Sequence, residues 1–182
     1  MSLTPSTMMD LGTLAPDFSL PDVRTGVLVA PPKSGKPLLV MFICAHCPYV
    51  VHVKHELARV GRDYSDRVDI IAISSNDAVN YPADSPANLK KMAEELGFVF
   101  PFCYDETQEA ARNYDAACTP DFFLFDAAHR LVYRGQLDGS RKSNDVPVTG
   151  RDLRAAMDAV LAGQAPSSEQ FPSIGCNIKW KK

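Results

Sequence analysis

The residues of this chain best suited to covalent chemistry lie together in Cys44-Ala45-His46-Cys47-Pro48. Two cysteines separated by two residues can close into a disulfide, and it is the thiolate rather than the thiol that attacks sulfur or peroxide. The stretch before them, Leu38 to Ile43, is continuously apolar, as expected of a central strand buried on both faces. Pro48 suits the first turn of a helix, where its missing N–H leaves no bond unmade. Val50, Val53, Leu57 and Val60 then recur at helical spacing and predict a helix over about 47–60. The pair therefore falls at a strand-to-helix junction. A helix N-terminus carries roughly half a positive charge together with free N–H groups, and both favour an anion. On this reading Cys44, just before the first turn, is the nucleophile. Cys47, one turn on and more deeply buried, resolves. An imidazolium at His46 would lower the Cys44 pKa further.

The same residue types fit two other roles. Cys44 and Cys47 with His52 and His55 on the following helix make a four-ligand zinc set by composition. The cysteines cap the helix while the histidines lie up to two turns along it, which makes one ion about 2.0–2.3 Å from all four hard to arrange. His52 and His55 otherwise read as surface helix residues. A purely structural pair of thiols is the other alternative. The favoured reading needs neither a metal nor an organic cofactor.

Composition narrows the setting. The chain has 182 residues, 46% hydrophobic and 23% charged, which fits one globular domain with a core of its own. Its 19 basic and 22 acidic residues give a net charge of −3, so there is no basic footprint for nucleic acid and no polybasic surface for anionic lipid. Five cysteines, at 44, 47, 103, 118 and 176, are too sparse for a small disulfide scaffold. The first 17 residues carry no basic and apolar stretch of the signal-peptide kind, and the apolar run 38–44 is too short to span a membrane. The expected compartment is reducing cytoplasm, where paired cysteines mean metal or redox chemistry.

The elements that must position the pair follow from pattern. Residues 1–13 read as a loose, flexible arm. Short strands at 15–20 and 27–29, joined by a turn at 22–26, form an N-terminal β-hairpin. Val68 to Ser74 is a second buried strand. Ser85-Pro86 opens a helix that runs to Leu96 and stops at Gly97. Phe98 to Tyr104 is extended, Glu106 to Tyr114 a short helix, and Phe122–Phe125 and Leu131–Gln136 a hairpin. Thr149 with Asp152 resembles a capping box for a helix that ends at Gly163. A βαβ unit followed by a ββα unit makes an α/β sandwich with one mixed sheet. The domain spans 14–163, and 164–182 is a tail packed against it.

Four motifs in order, spread over nearly the whole chain, resemble the thioredoxin-fold superfamily in its peroxiredoxin-like branch, the alkyl-hydroperoxide-reductase/thiol-specific-antioxidant or redoxin group. They are Gly12-Thr13-Leu14-Ala15-Pro16-Asp17-Phe18-Ser19-Leu20, Ile43-Cys44-Ala45-His46-Cys47-Pro48-Tyr49-Val50, Ala117-Cys118-Thr119-Pro120-Asp121-Phe122-Phe123 and Ser173-Ile174-Gly175-Cys176-Asn177-Ile178-Lys179-Trp180. The resemblance implies a thioredoxin-like fold, with a mixed central sheet flanked by helices. It implies a cis Thr119-Pro120 peptide beside the cysteines, presenting the Thr119 backbone to the disulfide and to a substrate strand. It also implies a protein disulfide or a hydroperoxide as substrate, a thioredoxin-type reductant, and a monomer or homodimer.

The chain departs from that pattern in two places. Peroxiredoxins carry P-x-x-x-T-x-x-C. Matched to it, Cys47 takes the peroxidatic position, with Cys44 in place of the threonine and Val40 in place of the proline. A second thiol there favours dithiol–disulfide exchange over peroxidase chemistry. Thioredoxins carry a buried acid on the central strand where this chain has Val40-Met41-Phe42, which leaves His46 or solvent to move the proton. With His46 beside the pair, the expected potential lies above thioredoxin's, between about −270 and −120 mV. Of the other cysteines, Cys103 reads as core, Cys118 as a buried thiol near the site, and Cys176 as a candidate third redox thiol in the tail, with Trp180 anchoring that tail by burial. Ser75-Asn76-Asp77 borders the pocket. Arg134 and Arg141 are the candidates for a peroxide-binding arginine.

Overall fold

The computed structural model describes residues 3–182. In chain order the strands are β1 (Leu3–Pro5), β2 (Leu20–Pro21), β3 (Leu28–Val29), β4 (Leu38–Phe42), β5 (Asp69–Ser74), β6 (Phe102–Tyr104), β7 (Cys118–Thr119), β8 (Asp121–Phe125), β9 (Leu131–Gly135) and β10 (Ile174–Asn177). The helices are α1 (Pro48–Tyr64), α2 (Pro86–Leu96), α3 (Glu109–Asn113) and α4 (Arg151–Leu161), with a 3-10 turn at Pro82–Asp84. Five strands form the central sheet in the order β6-β5-β4-β8-β9. β4 runs parallel to β5 and antiparallel to β8. This is the mixed α/β sheet expected from the order of elements, flanked by helices.

β4 is wholly buried because its two faces supply two cores. Leu39, Met41 and Ile43 join Val50, Val53, Leu57 and Val60 of α1, Leu89 of α2 and Leu153 and Met157 of α4. Leu38, Val40 and Phe42 join Ile71, Ile73, Phe123 and Phe125 with Ala110, Ala111 and Tyr114. The alternation is the period of two that a strand imposes on its side chains. An all-apolar β4 therefore stands in the middle, and its C-terminal end is the one place where the chain leaves the core toward α1.

Several elements differ from the pattern read in the sequence. α1 continues beyond 60 to Tyr64, which is itself buried. Gly61 is no stop: a Cβ there would lie 2.6 Å from the Phe100 ring, so the glycine admits that ring against the helix. α3 begins at Glu109 rather than 106, because Gln108 takes φ 64° at its N-cap and turns its side chain inward to donate to the carbonyls of Ser75 and Lys179. The capping box at α4 is not formed. Its N-cap is Gly150 at φ 67°, and the Asp138 carboxylate instead accepts from the Thr149 and Gly150 N–H groups at 2.8 and 2.6 Å. Asp152 is drawn off to Gln136 Nε2.

The largest difference lies at the ends of the chain. The described part of the expected loose arm includes β1, which pairs with β10, and β10 pairs in turn with β7. The tail thus forms the middle strand of a second, three-stranded sheet. Trp180 is not its buried anchor: it is 39% exposed and lies under the Arg112 guanidinium, 5.3 Å from it. Cys176 and Ile178 are the buried side chains. Gly175 sets how near the strand can come, since a Cβ there would sit 1.9 Å from the Thr119 carbonyl oxygen. Gly175→Ala is therefore expected to push β10 off β7 and destabilise the protein by about 1–3 kcal/mol or more. Denaturant unfolding measures this, and an unchanged midpoint would show that the close approach is not needed.

Candidate active site

Cys44 ends the run that begins in β4, and Cys47 is the N-cap of α1, with φ −65° and ψ 123° and Pro48 opening the helix. The extended backbone at Cys47 lets its carbonyl accept the Val51 N–H at 2.9 Å while its sulfur turns back toward the Val50 N–H. Both cysteines are 0% exposed, so Cys47 is not the more buried of the two. Their sulfurs are hydrogen-bonded to each other. Facing them is the loop at Thr119-Pro120, whose peptide is cis. Thr119 Oγ1 lies 3.5 Å from Cys44 Sγ, and the Thr119 carbonyl lies 3.3 Å from Cys47 Sγ.

Their surroundings shift the two thiols in opposite directions, Cys47 down and Cys44 up. Cys44 donates to the Cys47 sulfur, and Cys176 and Val50 N–H are further donors to it. Together they outweigh burial and hold the Cys47 thiol down at about 4. Cys44 is held well above the ordinary thiol range, first by that same bond, in which it is the donor, then by burial, then by the negative charge of Asp84. The helix terminus favours the thiolate at the N-cap itself rather than three residues earlier.

His46 lies beside Cys44, their nearest ligand atoms within 4.8 Å, and is held there by Asp84. Its Nδ1 is bonded to Asp84 Oδ2, and its ring stacks on Tyr81. Asp84, 0% exposed, was missed in the sequence. Its Oδ1 accepts the N–H groups of Ala45 and His46 at 2.8 and 3.0 Å, and its Oδ2 accepts Asn76 Nδ2 at 2.7 Å. One carboxylate thus ties down the whole turn between the cysteines. Asn76, flagged by its place after β5, extends the tie to the tail by accepting the Lys179 N–H at 2.8 Å. No local signal marks Asp84, which reads as loop until the 3-10 turn carries it under the cysteines.

The zinc set read from the sequence is not assembled. His52 Nε2 is bonded to Ser140 Oγ at 2.8 Å, and His55 is exposed on α1. Among the described residues the group close enough to hold an ion is Cys44, His46 and Asp84, whose donor atoms lie within 4.8 Å of one another. Asp84 is already occupied by its four donors, so an ion would have to displace the His46 bond. Arg134 spends its guanidinium on Met9 O and Gln170, and Arg141 on Asp138 O, Ser140 O and Gln136. Neither is held toward the sulfurs by these bonds. Cys103 is buried and pushed up to about 12 by desolvation. Cys118 is likewise raised by burial and donates to Pro120 O at 3.7 Å. Cys176 stands against Cys47 and is pushed up to about 12, first by burial and then by that bond.

A match to the model of the AhpC/TSA family covers residues 11–134. The chain belongs to the AhpC/TSA family. An uncharacterised conserved protein of Geobacillus kaustophilus is similar over the full length, with 55% identity and a TM-score of 0.97, covering 100% of this chain and 97% of that one. A hypothetical protein of Sinorhizobium meliloti 1021 is 46% identical with a TM-score of 0.95, covering 98% of each chain. At 18% identity and a TM-score of 0.64, a thioredoxin-family thiol:disulfide interchange protein of Chlorobium tepidum TLS covers 84% of this chain and 98% of its own, and shares the fold. Among curated proteins none matches. The fold is thus thioredoxin-like and the family one of redox thiol proteins. Among the described residues no helix is long and apolar enough to cross a membrane.

The ionisation order can be measured directly. In the reduced protein, thiolate absorbance in the ultraviolet is expected to rise with pH through a midpoint of about 4, to vanish there in Cys47→Ser, and to shift upward in Cys44→Ser, which loses a donor to the thiolate. Loss of the acid step in Cys44→Ser but not in Cys47→Ser would return the nucleophile to Cys44.

Proposed function

We propose that the protein is a thiol-disulfide oxidoreductase working through Cys44 and Cys47. The observation that carries this is that the two cysteines stand at the start of α1 with both sulfurs against the cis Thr119-Pro120 loop, Cys44 Sγ 3.5 Å from Thr119 Oγ1 and Cys47 Sγ 3.3 Å from the Thr119 carbonyl. The Cys47 thiolate attacks a sulfur of a substrate disulfide, and the other substrate sulfur leaves as a thiolate. Cys44 then attacks Cys47 within the mixed disulfide and releases the second substrate sulfur. The substrate gains two electrons, and the protein is left with a Cys44–Cys47 disulfide. Cys44 must lose its proton in that second step. In place of the acid absent from Val40-Met41-Phe42, His46 or solvent takes that proton. A thioredoxin-type donor restores the dithiol in a reducing cytoplasm.

The second reading is a thiol peroxidase, with Cys47 as the peroxidatic thiolate. Membership of the AhpC/TSA family favours it, as does the full burial of both sulfurs, which suits an oxidant as small as a hydroperoxide. Against it, Arg134 and Arg141 are committed elsewhere, and a thiol occupies the position of the hydroxyl residue.

A redox titration of the wild type beside Cys44→Ser and Cys47→Ser, with insulin reduction and peroxide consumption measured in parallel, separates the readings. The wild type is expected to titrate as one two-electron couple above about −270 mV, because a depressed thiol pKa stabilises the reduced form. Cys47→Ser should lose all turnover, and Cys44→Ser should lose the Cys44–Cys47 couple. Cysteine-dependent peroxide turnover far exceeding insulin reduction would favour the peroxidase.

A further inference from the structure

β7 is a two-residue strand immediately before the cis-proline, and it faces Cys47. The open edge of such a strand accepts an extended peptide by antiparallel pairing. In this protein β10 already occupies it, with Cys176 opposite Thr119 and Asn177 opposite Cys118. The chain's own tail stands where an external strand would lie, and the residue it places beside the catalytic sulfur is a cysteine. The Cys176 and Cys47 sulfurs are hydrogen-bonded. The tail is seated by backbone contacts on either side of that position. Ser173 Oγ donates to Pro120 O at 2.5 Å, Ile178 N donates to Ala117 O at 3.0 Å, and Gly175 allows the close approach to Thr119. The cleft left beside Pro120, between Tyr49 and Ile174, holds about 20 Å³, room for about one water and not for a peptide.

We propose that Cys176 is a third redox thiol that exchanges into a disulfide with Cys47, making the C-terminal strand a tethered substrate of the site. The inference rests on the Cys44–Cys47 disulfide of the proposed function. In the exchange, the Cys176 sulfur attacks Cys47 Sγ and gives up its proton. The Cys44–Cys47 bond breaks, the Cys47–Cys176 bond forms, and Cys44 leaves as a thiolate that takes the proton. One disulfide replaces another, so no oxidant or reductant is consumed. The new bond fastens the tail over the strand edge and returns Cys44 to the thiol state beside Asp84. Cys118, although close, stays out of the exchange: its sulfur is turned to Pro120 O.

Full-length protein is oxidised with diamide, quenched in acid, blocked with N-ethylmaleimide, digested and analysed by mass spectrometry. The wild type is expected to give both a Cys44–Cys47 peptide and a cross-linked Cys47–Cys176 peptide. Cys44→Ser should give the Cys47–Cys176 link as its main product in monomers, and Cys176→Ser should give Cys44–Cys47 alone. Cys44→Ala, with far-ultraviolet circular dichroism on every variant, guards against misfolding of the serine form. Folded Cys44→Ser and Cys44→Ala monomers with Cys47 and Cys176 both blocked by maleimide would overturn the inference and leave the dithiol reading intact. A wild type that gives Cys47–Cys176 but never Cys44–Cys47 would overturn the dithiol reading and keep Cys176 as the partner of Cys47.

Discussion

The sulfur of Cys47 is the point on which the structure turns. Three parts of the chain meet there: the end of an all-apolar β4, the first turn of α1, and the Thr119-Pro120 loop with the tail behind it. Each contributes a donor or a wall around a sulfur with no exposure to water. A buried charge is tolerated only when it is hydrogen-bonded. Cys44, Cys176, Thr119 and the Val50 N–H all favour the ionised form of Cys47, and two of the four are themselves thiols.

Asp84 explains why the charge is asymmetric. By gathering the Ala45 and His46 N–H groups and the His46 ring, it shapes the turn between the cysteines. A carboxylate beside Cys44 also opposes a second negative charge there. The two sulfurs thus differ in their surroundings although both are buried. Asn76, bonded both to Asp84 and to the tail backbone, links the geometry of the turn to the seating of β10.

Much of the fold was legible because its signals are local. The apolar run before Cys44, Pro48, Ser85 at an N-cap, Gly97 at a C-cap and the hairpin turn each act through their immediate neighbours. The misreadings came where a distant group supplied the missing partner. Asp138 displaces the capping box at α4, Phe100 passes Gly61 inside α1, and Asp84 binds the His46 ring. β1 and β10 have too few residues to show a strand period, and each is a strand only because the other end of the chain lies beside it.

The cysteine pair and its strand-to-helix setting follow from residue type and spacing in the sequence alone, and the Thr119-Pro120 loop beside them from the resemblance to the family. The division of labour between Cys44 and Cys47 does not, and neither does the place of Cys176. Ionisation depends on which donors and charges surround each sulfur, and those come from residues 76, 84, 119 and 176, far apart along the chain. Only the tertiary structure brings them together around the two sulfurs.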